Sequence, residues 1–143
     1  MLAGWFALAN LSSMEVSGLW DAGRLHQVIT NLLRNALRYS APDTVIQIGV
    51  RTVRDHAFVE VRDRGIGIAP EDIPHLFSPF FRGTAASKHE ASGLGLGLYI
   101  AHEIIRLHDG KIDVTSEVGL GTTFTVELPL EPLRLGSDTT RTT

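Results

Sequence analysis

Gly93-Leu94-Gly95-Leu96-Gly97-Leu98 is the stretch around which the chain is organised, and it leads directly into the apolar helical pattern Tyr99–Ile105. Glycines at alternate positions let a backbone turn tightly and approach another group closely. A helix that begins after such a loop points its free N–H groups back at it, which makes the loop a candidate phosphate site. Close packing without a ligand produces the same pattern, so the other motifs of the chain decide between the two.

Two familiar phosphate loops are excluded by the sequence. There is no G-x-x-x-x-G-K-[ST] motif, so the loop is not a P-loop. The dinucleotide pattern G-x-G-x-x-G requires glycine where the chain has Leu98, and a strand directly before the loop. Residues 84–92 are instead small and polar, which is typical of a lid, a binding loop or a disordered segment.

Length and composition indicate a single domain with a proper core. The chain has 143 residues, 43% of them hydrophobic, which is enough to bury a core. A net charge of −3 and a pI near 6.0 give no sign of nucleic-acid binding. The chain has no cysteine, so no disulfide framework is needed and a reducing compartment such as the cytoplasm is suitable.

Both ends of the chain are expected to lie outside the main domain, which we assign to residues 15–130. Met1–Ala9 is apolar but too short to span a bilayer, which takes about 20 residues, and it lacks the basic start of a signal peptide. Residues 1–14 are either the remnant of a preceding helix in a longer protein or a packed terminal segment. Residues 131–143 contain proline, glycine and several threonines and are predicted to form a disordered tail.

Periodicity predicts the order helix, hairpin, loop, helix, hairpin. The first helix covers Arg24–Tyr39 with Asp21 as its N-cap, and the second covers Gly95–Leu107 and ends at Asp109-Gly110. The strands are predicted at residues 44–53, 56–62, 111–117 and 122–130, with a further short strand at 14–20 and a short helix at 70–77. This order predicts an α+β fold, a two-layer sandwich whose mixed, mainly antiparallel sheet carries helices on one face.

The first helix carries a row of polar side chains beside its apolar stripe. Gln27, Asn31 and Asn35 are spaced four apart and therefore share one face. Asparagine is a modest helix former, so two of them in mid-helix call for a reason. They are either a polar flank that bonds a neighbouring loop, or oxygen ligands for a hard cation such as Mg²⁺.

Asp63-Arg64-Gly65-Ile66-Gly67-Ile68 follows the second predicted strand. A carboxylate at a strand end either satisfies the amides of the turn or accepts a hydrogen bond from an exocyclic amine such as N6 of adenine, with the glycines making room for the ring. Phe77, Phe80 and Phe81 then precede the polar loop and are expected to anchor it to the core. Arg82, just inside the loop, is placed to reach a phosphate.

These motifs, in their order and spacing, resemble the N, G1, F and G2 boxes of sensor histidine kinases. The motifs are Asn31-x-x-x-Asn35-Ala36, Asp63-x-Gly65-x-Gly67, Phe77-x-x-Phe80 and Gly93-x-Gly95-x-Gly97-Leu98. The resemblance covers about residues 15–130. It implies the ATP-binding catalytic domain of that family, with the Bergerat-type fold shared with gyrase, Hsp90 and MutL, and with ATP and Mg²⁺ as ligands.

The resemblance also implies site residues. Asn35 would ligate Mg²⁺ at the phosphates, Asn31 would assist on the same face, and Asp63 would bind the adenine amine. Residues 82–98 would form the lid over ATP. The other nucleotide-binding positions that it implies are Arg38, Tyr39, Gly65, Gly67, Ile68, Phe80, Arg82, Gly93, Leu94, Gly95, Leu96, Gly97, Leu98 and Thr122. Among them Arg38 would contact phosphate, Tyr39 would pack by the adenine, and Thr122 would support Asp63 through its hydroxyl.

One position separates branches of the wider group. The relatives that hydrolyse ATP resemble this pattern but carry glutamate, the general base, four residues before the Mg²⁺ asparagine. This chain has Asn31 there, and an amide cannot take that proton. We therefore expect slow hydrolysis and transfer of the γ-phosphoryl group to an outside nucleophile, a histidine, by positioning and charge stabilisation.

The resemblance places the phosphoacceptor histidine on a separate dimerising hairpin, N-terminal to this domain, and no such hairpin is recognisable in the sequence. His102 echoes the acceptor pattern but lies in the helix behind the phosphate loop. We expect a cytoplasmic catalytic fragment without a membrane span, cut from a parent that can be membrane-anchored, or a protein that acts in trans, with a response regulator downstream. The alternatives are a stand-alone anti-sigma-type serine kinase and a non-catalytic nucleotide-binding module.

Overall fold

The chain forms the predicted succession of helices and strands. The computed structural model describes residues 7–9, 20–81 and 96–131. Its elements are β1 (Ala7–Ala9), α1 (Ala22–Tyr39), β2 (Val45–Val53), β3 (His56–Asp63), a one-turn 3₁₀ helix (Ile73–His75), α2 (Gly97–Leu107), β4 (Lys111–Glu117) and β5 (Gly121–Pro129). Of the helices in these ranges, none combines the length and apolar character needed to cross a membrane.

The strands form one mixed sheet in the order β1-β2-β3-β5-β4. Both predicted hairpins, β2–β3 and β4–β5, are present and antiparallel, and β3 joins them by pairing with β5. The α+β sandwich with a mainly antiparallel sheet is thereby confirmed. The sheet is mixed because β1 runs parallel to β2, with Ala7 opposite Val45.

β1 was not predicted. It lies in residues 1–14, for which the sequence suggested either the remnant of a preceding helix or a packed terminal segment, and its three residues are extended. The sheet therefore includes residues ahead of position 15. The strand predicted at 14–20 lies outside the described residues, apart from Trp20, which is in no regular element.

The core lies between one face of the sheet and the two helices. On β5 the buried residues of this face alternate with partly buried ones, and they stand in register with β3, Ala57 opposite Leu128 and Val61 opposite Phe124. The helices bury apolar stripes at a period of 3.6 residues against it. The helical members of the core are Val28, Leu32, Ala36, Ala101, Ile104 and Ile105.

The two ends of α1 are fixed by different bonds. At the start, the side chain of Asp21 accepts a hydrogen bond from the N–H of Arg24 at 3.1 Å, which confirms the predicted N-cap. After the helix, Ser40 forms an isolated antiparallel bridge with Gly65, and the N–H of Ile66 donates to the carbonyl of Tyr39 at 3.2 Å. The end of α1 is thus tied to the turn that follows β3.

Two local predictions were wrong in detail. The helix predicted at residues 70–77 is a single 3₁₀ turn at Ile73–His75, since Pro70 and Pro74 have no backbone N–H to donate. At the end of α2, Asp109 rather than Gly110 adopts the left-handed conformation, with φ 62°. Gly110 is needed for another reason: a Cβ on it would lie 2.9 Å from Leu128 Cδ2 and would meet the carbonyl of Glu127.

Replacing Gly65 with alanine should destabilise the domain. A Cβ at this position would lie 2.6 Å from the carbonyl carbon of Tyr39 and closer still to its oxygen, both backbone atoms that cannot swing away. We expect the free energy of unfolding to fall by roughly 2–3 kcal/mol, measured by urea denaturation. Gly49→Ala is the matched control, because a Cβ there meets nothing within 4 Å. Equal stability of the two variants would contradict the close contact.

Candidate functional site

A row of polar side chains ends the core face of the sheet. In the register of β3, β5 and β4, Asp63 lies opposite Thr122, and Thr122 lies opposite Ser116. The row before it, which includes Val61 and Phe124, is apolar and faces the core. Since side chains two residues apart on a strand share a face, the polar row continues the core surface out to the sheet end.

Asp63 is the buried charge of this row. Only 5% of the residue is exposed, and among the described residues its Oδ1 has no hydrogen-bond partner. Burial raises the pKa of Asp63 to about 6, and the backbone N–H groups of Thr122 and Gly65, which favour the anion, oppose that rise only in part. A buried acceptor without a partner is uncommon in folded proteins and fits a ligand that brings a donor.

Ser116 organises the rest of the row. Its Oγ donates to the carbonyl of Gly121 at 3.0 Å and accepts from the N–H of Ile68 at 2.8 Å. The third contact, 2.8 Å long, is to Oγ1 of Thr122. Because the one hydroxyl proton of Ser116 is used on Gly121, Thr122 must be the donor in this contact.

The hydroxyl of Thr122 does not support Asp63 in the way that was expected, and Ser116 is an additional residue of the polar row. The hydroxyl of Thr122 is hydrogen-bonded to Ser116. It is the backbone N–H of Thr122 that is hydrogen-bonded to Asp63. Ser116 was not predicted as a site residue. Its signal was a polar residue where the alternation Ile112, Val114 predicts a core-facing one.

The glycines of this region allow neighbouring backbone segments to approach closely. A side chain on Gly65 would run into the carbonyl of Tyr39. Gly67 has φ 76°, and a Cβ there would lie 2.8 Å from the carbonyl carbon of Glu117. Close approach of backbone near Asp63 therefore requires glycine at both positions, and their predicted part in shaping an adenine pocket stays a prediction.

The polar face of α1 meets the start of α2. Nδ2 of Asn31 donates to the carbonyl of Gly97 at 3.1 Å. That oxygen can only accept, so the amide nitrogen must face it and the amide oxygen of Asn31 stays available as an acceptor. Asn35 lies one turn further along, half-buried, and makes no hydrogen bond to another described residue. Asn31 therefore bonds the first turn of α2, while the role of Asn35 as a cation ligand stays a prediction.

The aromatic cluster anchors the chain through Phe77 rather than through all three phenylalanines. The ring of Phe77 stacks on His102 of α2 at 4.9 Å between centroids and meets the edge of Phe124 at 6.4 Å. Phe80 is 66% exposed and has φ 65°, and Phe81 contacts His75 at 5.8 Å. The prediction that Phe80 helps to anchor the loop to the core is wrong.

The remaining predicted residues are placed as follows. Arg38 is exposed, with its guanidinium carbon 6.0 Å from the centroid of the Tyr39 ring. Leu98 packs against the core, and the carbonyl of Leu96 accepts from Ile100 at 2.8 Å as α2 begins. Arg82, Gly93, Leu94 and Gly95 lie outside the described residues. Within the described ranges there is no group of three His, Cys, Asp or Glu side chains that could hold a metal ion.

Comparison with known protein families gives a clear match. The family described as "Histidine kinase-, DNA gyrase B-, and HSP90-like ATPase" matches residues 20–132. The sensor protein SrrB of Staphylococcus aureus is 43% identical over 110 residues, which are 77% of this chain and 19% of SrrB. The chain therefore spans about a fifth of the length of the curated relatives that it matches.

Solved structures agree with the sequence relatives. The catalytic domain of the histidine kinase ThkA superposes with a TM-score of 0.76 and 30% identity over 90% of this chain and 82% of ThkA's. Full-length ShkA in complex with AMPPNP gives a TM-score of 0.74 and 26% identity, covering 91% of this chain and 27% of that one. The fold and the relatives therefore indicate the same kind of domain.

The buried carboxyl of Asp63 should make the stability of the domain depend on pH. The folded domain holds the Asp63 proton up to pH about 6, whereas the ordinary pKa is 3.8. The contribution of Asp63 is therefore fully present below pH 3.8 and is lost as the pH rises to about 6, at about 1.4 kcal/mol per pKa unit.

This dependence is measured by urea denaturation between pH 4 and pH 8, comparing the wild type with Asp63→Asn. The variant should lack this component, so its stability relative to the wild type should rise over that range. Asp113→Asn, at a well-exposed position, is the control and should leave the profile unchanged. Parallel profiles of the wild type and Asp63→Asn would contradict the raised pKa.

Proposed function

Since the chain belongs to the histidine kinase-, DNA gyrase B- and HSP90-like ATPase family, we propose that it binds Mg·ATP and transfers the γ-phosphoryl group to a histidine. Its fold and relatives are those of the ATP-binding catalytic domain of a sensor histidine kinase. Two observations together carry the proposal. Near the end of α1 lies a buried acceptor, Oδ1 of Asp63, that has no partner among the described residues, and further back along the same helix Asn31 contacts Gly97 at the start of α2.

The base end of the proposed site is Asp63. Its carboxylate accepts from the exocyclic amine of adenine, which supplies the donor that Oδ1 lacks among the described residues. Ser116 supports this end by holding Thr122 and the N–H of Ile68 in place. Tyr39, half-buried at the end of α1, is placed beside the ring. Selectivity for adenine then follows from Asp63, since guanine presents an acceptor where adenine has the amine.

The phosphate end is formed by α1 and the start of α2. The amide oxygens of Asn31 and Asn35 are hard-cation ligands, and Mg²⁺ uses few protein ligands together with phosphate oxygens and water. With no carboxylate or histidine cluster in the described ranges, Asn35 is the residue to hold it. The ion would neutralise charge on the phosphates when bound. The N-terminal amides of α2 are oriented by the Asn31–Gly97 contact and meet the phosphates.

Asn31 also explains why transfer rather than hydrolysis is proposed. Its nitrogen donates to the carbonyl of Gly97, a contact that a carboxylate cannot make because both groups would be acceptors. An amide does not take a proton from water at neutral pH, so the site offers no general base at this position. An incoming imidazole nitrogen forms the bond to the γ-phosphorus, and the bond from that phosphorus to the bridging oxygen breaks with release of ADP.

The acceptor is proposed to be a histidine on a dimerising hairpin, in the same longer protein or in trans, with a response regulator downstream and the cytoplasm as the compartment. His102 does not serve as acceptor, since its ring is stacked on Phe77. His108 is engaged at both ring nitrogens, with Ile104 at 2.9 Å and with the N–H of Asp21 at 3.2 Å. Neither ring is free to approach a phosphate.

Binding of Mg·ATP is tested by thermal melts. At about 100 times Kd, the nucleotide should stabilise the wild type by roughly 2.7 kcal/mol, and chelation of Mg²⁺ should remove most of this. Asn35→Ala should lose the Mg²⁺-dependent part and keep the fold. Gln27→Ala is the matched control, on the same helix face but exposed, and should respond as the wild type does. A Mg²⁺-dependent shift that survives in Asn35→Ala would rule out the proposed ligand.

Transfer is tested with ATP labelled at the γ-phosphate. A purified histidine-bearing hairpin of a sensor kinase should acquire acid-labile label, and the same hairpin with its histidine replaced by alanine should not. Hydrolysis without an acceptor should stay slow. Acid-stable label on a serine-bearing protein would indicate the serine kinase instead, and binding without transfer to either acceptor would indicate a nucleotide-binding module.

A further inference from the structure

Strand β4 lies at one edge of the sheet. It pairs with β5 on one side, and no strand of the described residues pairs with its other side. Apart from the bonds to β5, no backbone group of residues 111–116 bonds another backbone group in the part of the chain that the structure describes. An edge of this kind presents N–H and C=O groups in a row and is a template for a further strand.

The side chains on the outer face of β4 are charged or polar. This face carries Lys111, Asp113, Thr115 and Glu117, all of them exposed. The side chains of Lys111 and Asp113 are 64% and 65% exposed. On the opposite face Val114, the middle residue of the strand, packs against the core. The strand therefore begins with a positive charge and ends with a negative one.

We propose that β4 is an interface for a second copy of this chain, with the two β4 strands antiparallel about a two-fold axis at Val114. Antiparallel pairing brings the start of one strand to the end of the other, so Lys111 of each copy lies opposite Glu117 of the other. Because a two-fold interface is self-complementary, this pair of opposite charges forms twice. Opposite charges directly across an antiparallel pair stabilise it.

The charges also specify the register. Moving the axis by one residue to Asp113 places this carboxylate opposite its own copy, and moving the axis to Thr115 places Asp113 opposite Glu117. Like charges directly opposite each other destabilise strand pairing. The axis at Val114 pairs Asp113 with Thr115 instead and uses all 7 residues of the strand. It is therefore the register that the side chains of β4 favour.

The same charges favour a second copy over an unrelated strand as the occupant of this edge. Lysine on an edge strand commonly hinders pairing with other chains, whereas here the second copy supplies Glu117 as its partner. Within one copy Lys111 and Glu117 cannot meet, since six positions of an extended strand span about 20 Å. The contacts of Lys111 inside its own copy are long, 3.9 Å to Asp113 and 3.7 Å to Glu127, and exposed.

Self-association is measured first by sedimentation equilibrium of the whole chain without nucleotide. One strand per copy makes a small interface, so we expect a weak, reversible dimer that forms between about 10 µM and about 1 mM. Amide hydrogen exchange of β4 should be slower at the upper concentration than at the lower one, while that of β2 should not change. A monomer throughout this range, or a dimer without added protection in β4, would overturn the proposal.

Charge reversal tests the register. Lys111→Glu and Glu117→Lys each place like charges opposite each other at both ends of the strand pair, so each alone should weaken the dimer about 5–30-fold. One variant carries two negative ends and the other two positive ends. An equimolar mixture of the two therefore pairs opposite charges again, and it should associate about as tightly as the wild type. A mixture that associates no better than its separate components would overturn the register and with it the proposed pairing.

The matched control is Arg54→Glu, which makes the same change of charge in the exposed turn between β2 and β3. It should dimerise as the wild type does, and weakening equal to that of Lys111→Glu would contradict a specific role of β4. Melting of each variant establishes that it is folded. Because no nucleotide is present in these experiments, their outcome is independent of the proposed function.

Discussion

The tie between the end of α1 and the turn after β3 is the contact on which the site depends. It consists of the Ser40–Gly65 bridge, the bond from Ile66 to the Tyr39 carbonyl, and the packing of Gly65 against that same carbonyl. Such backbone contact leaves no room for a side chain. It brings the helix that carries the asparagines to the strand that carries Asp63, and it buries the carboxylate between them.

Burial gives Asp63 its character. In water a carboxylate is solvated on all sides, whereas here desolvation raises the pKa to about 6 and one oxygen is unpartnered among the described residues. The neighbouring hydroxyls of Ser116 and Thr122 bond to each other instead of to the carboxylate. Burying this carboxylate oxygen costs free energy, and the packing of the apolar core next to the polar row offsets that cost. The same packing holds the carboxylate in one orientation. A preorganised acceptor of this kind suits recognition of a base.

Helix α1 connects the two ends of the proposed site. Asn31, at the phosphate end of the proposed site, and Tyr39, at its base end, are eight positions apart on α1. This spacing corresponds to about 12 Å along a helix, which is on the scale of the distance from the base of a nucleotide to its phosphates. One rigid element therefore sets the separation between base and phosphate contacts. Through Asn31 it also holds the first turn of α2, so in the proposed site the same helix sets the position of the α2 amides relative to the base.

The sequence by itself determined the helix and strand order, both hairpins, the Asp21 cap and the motifs, because these depend on periodicity and on residue types close together in the chain. It also led to the prediction of Asn31, Asn35 and Asp63 as site residues. What only the tertiary structure decided depends on distant neighbours. β1 is extended because it has β2 to pair with, and Gly65 is required because Tyr39 lies against it. The contacts of Ser116 and the exposure of Phe80 likewise depend on the tertiary structure, since a side chain's partners across a sheet are set by pairing that no local pattern specifies.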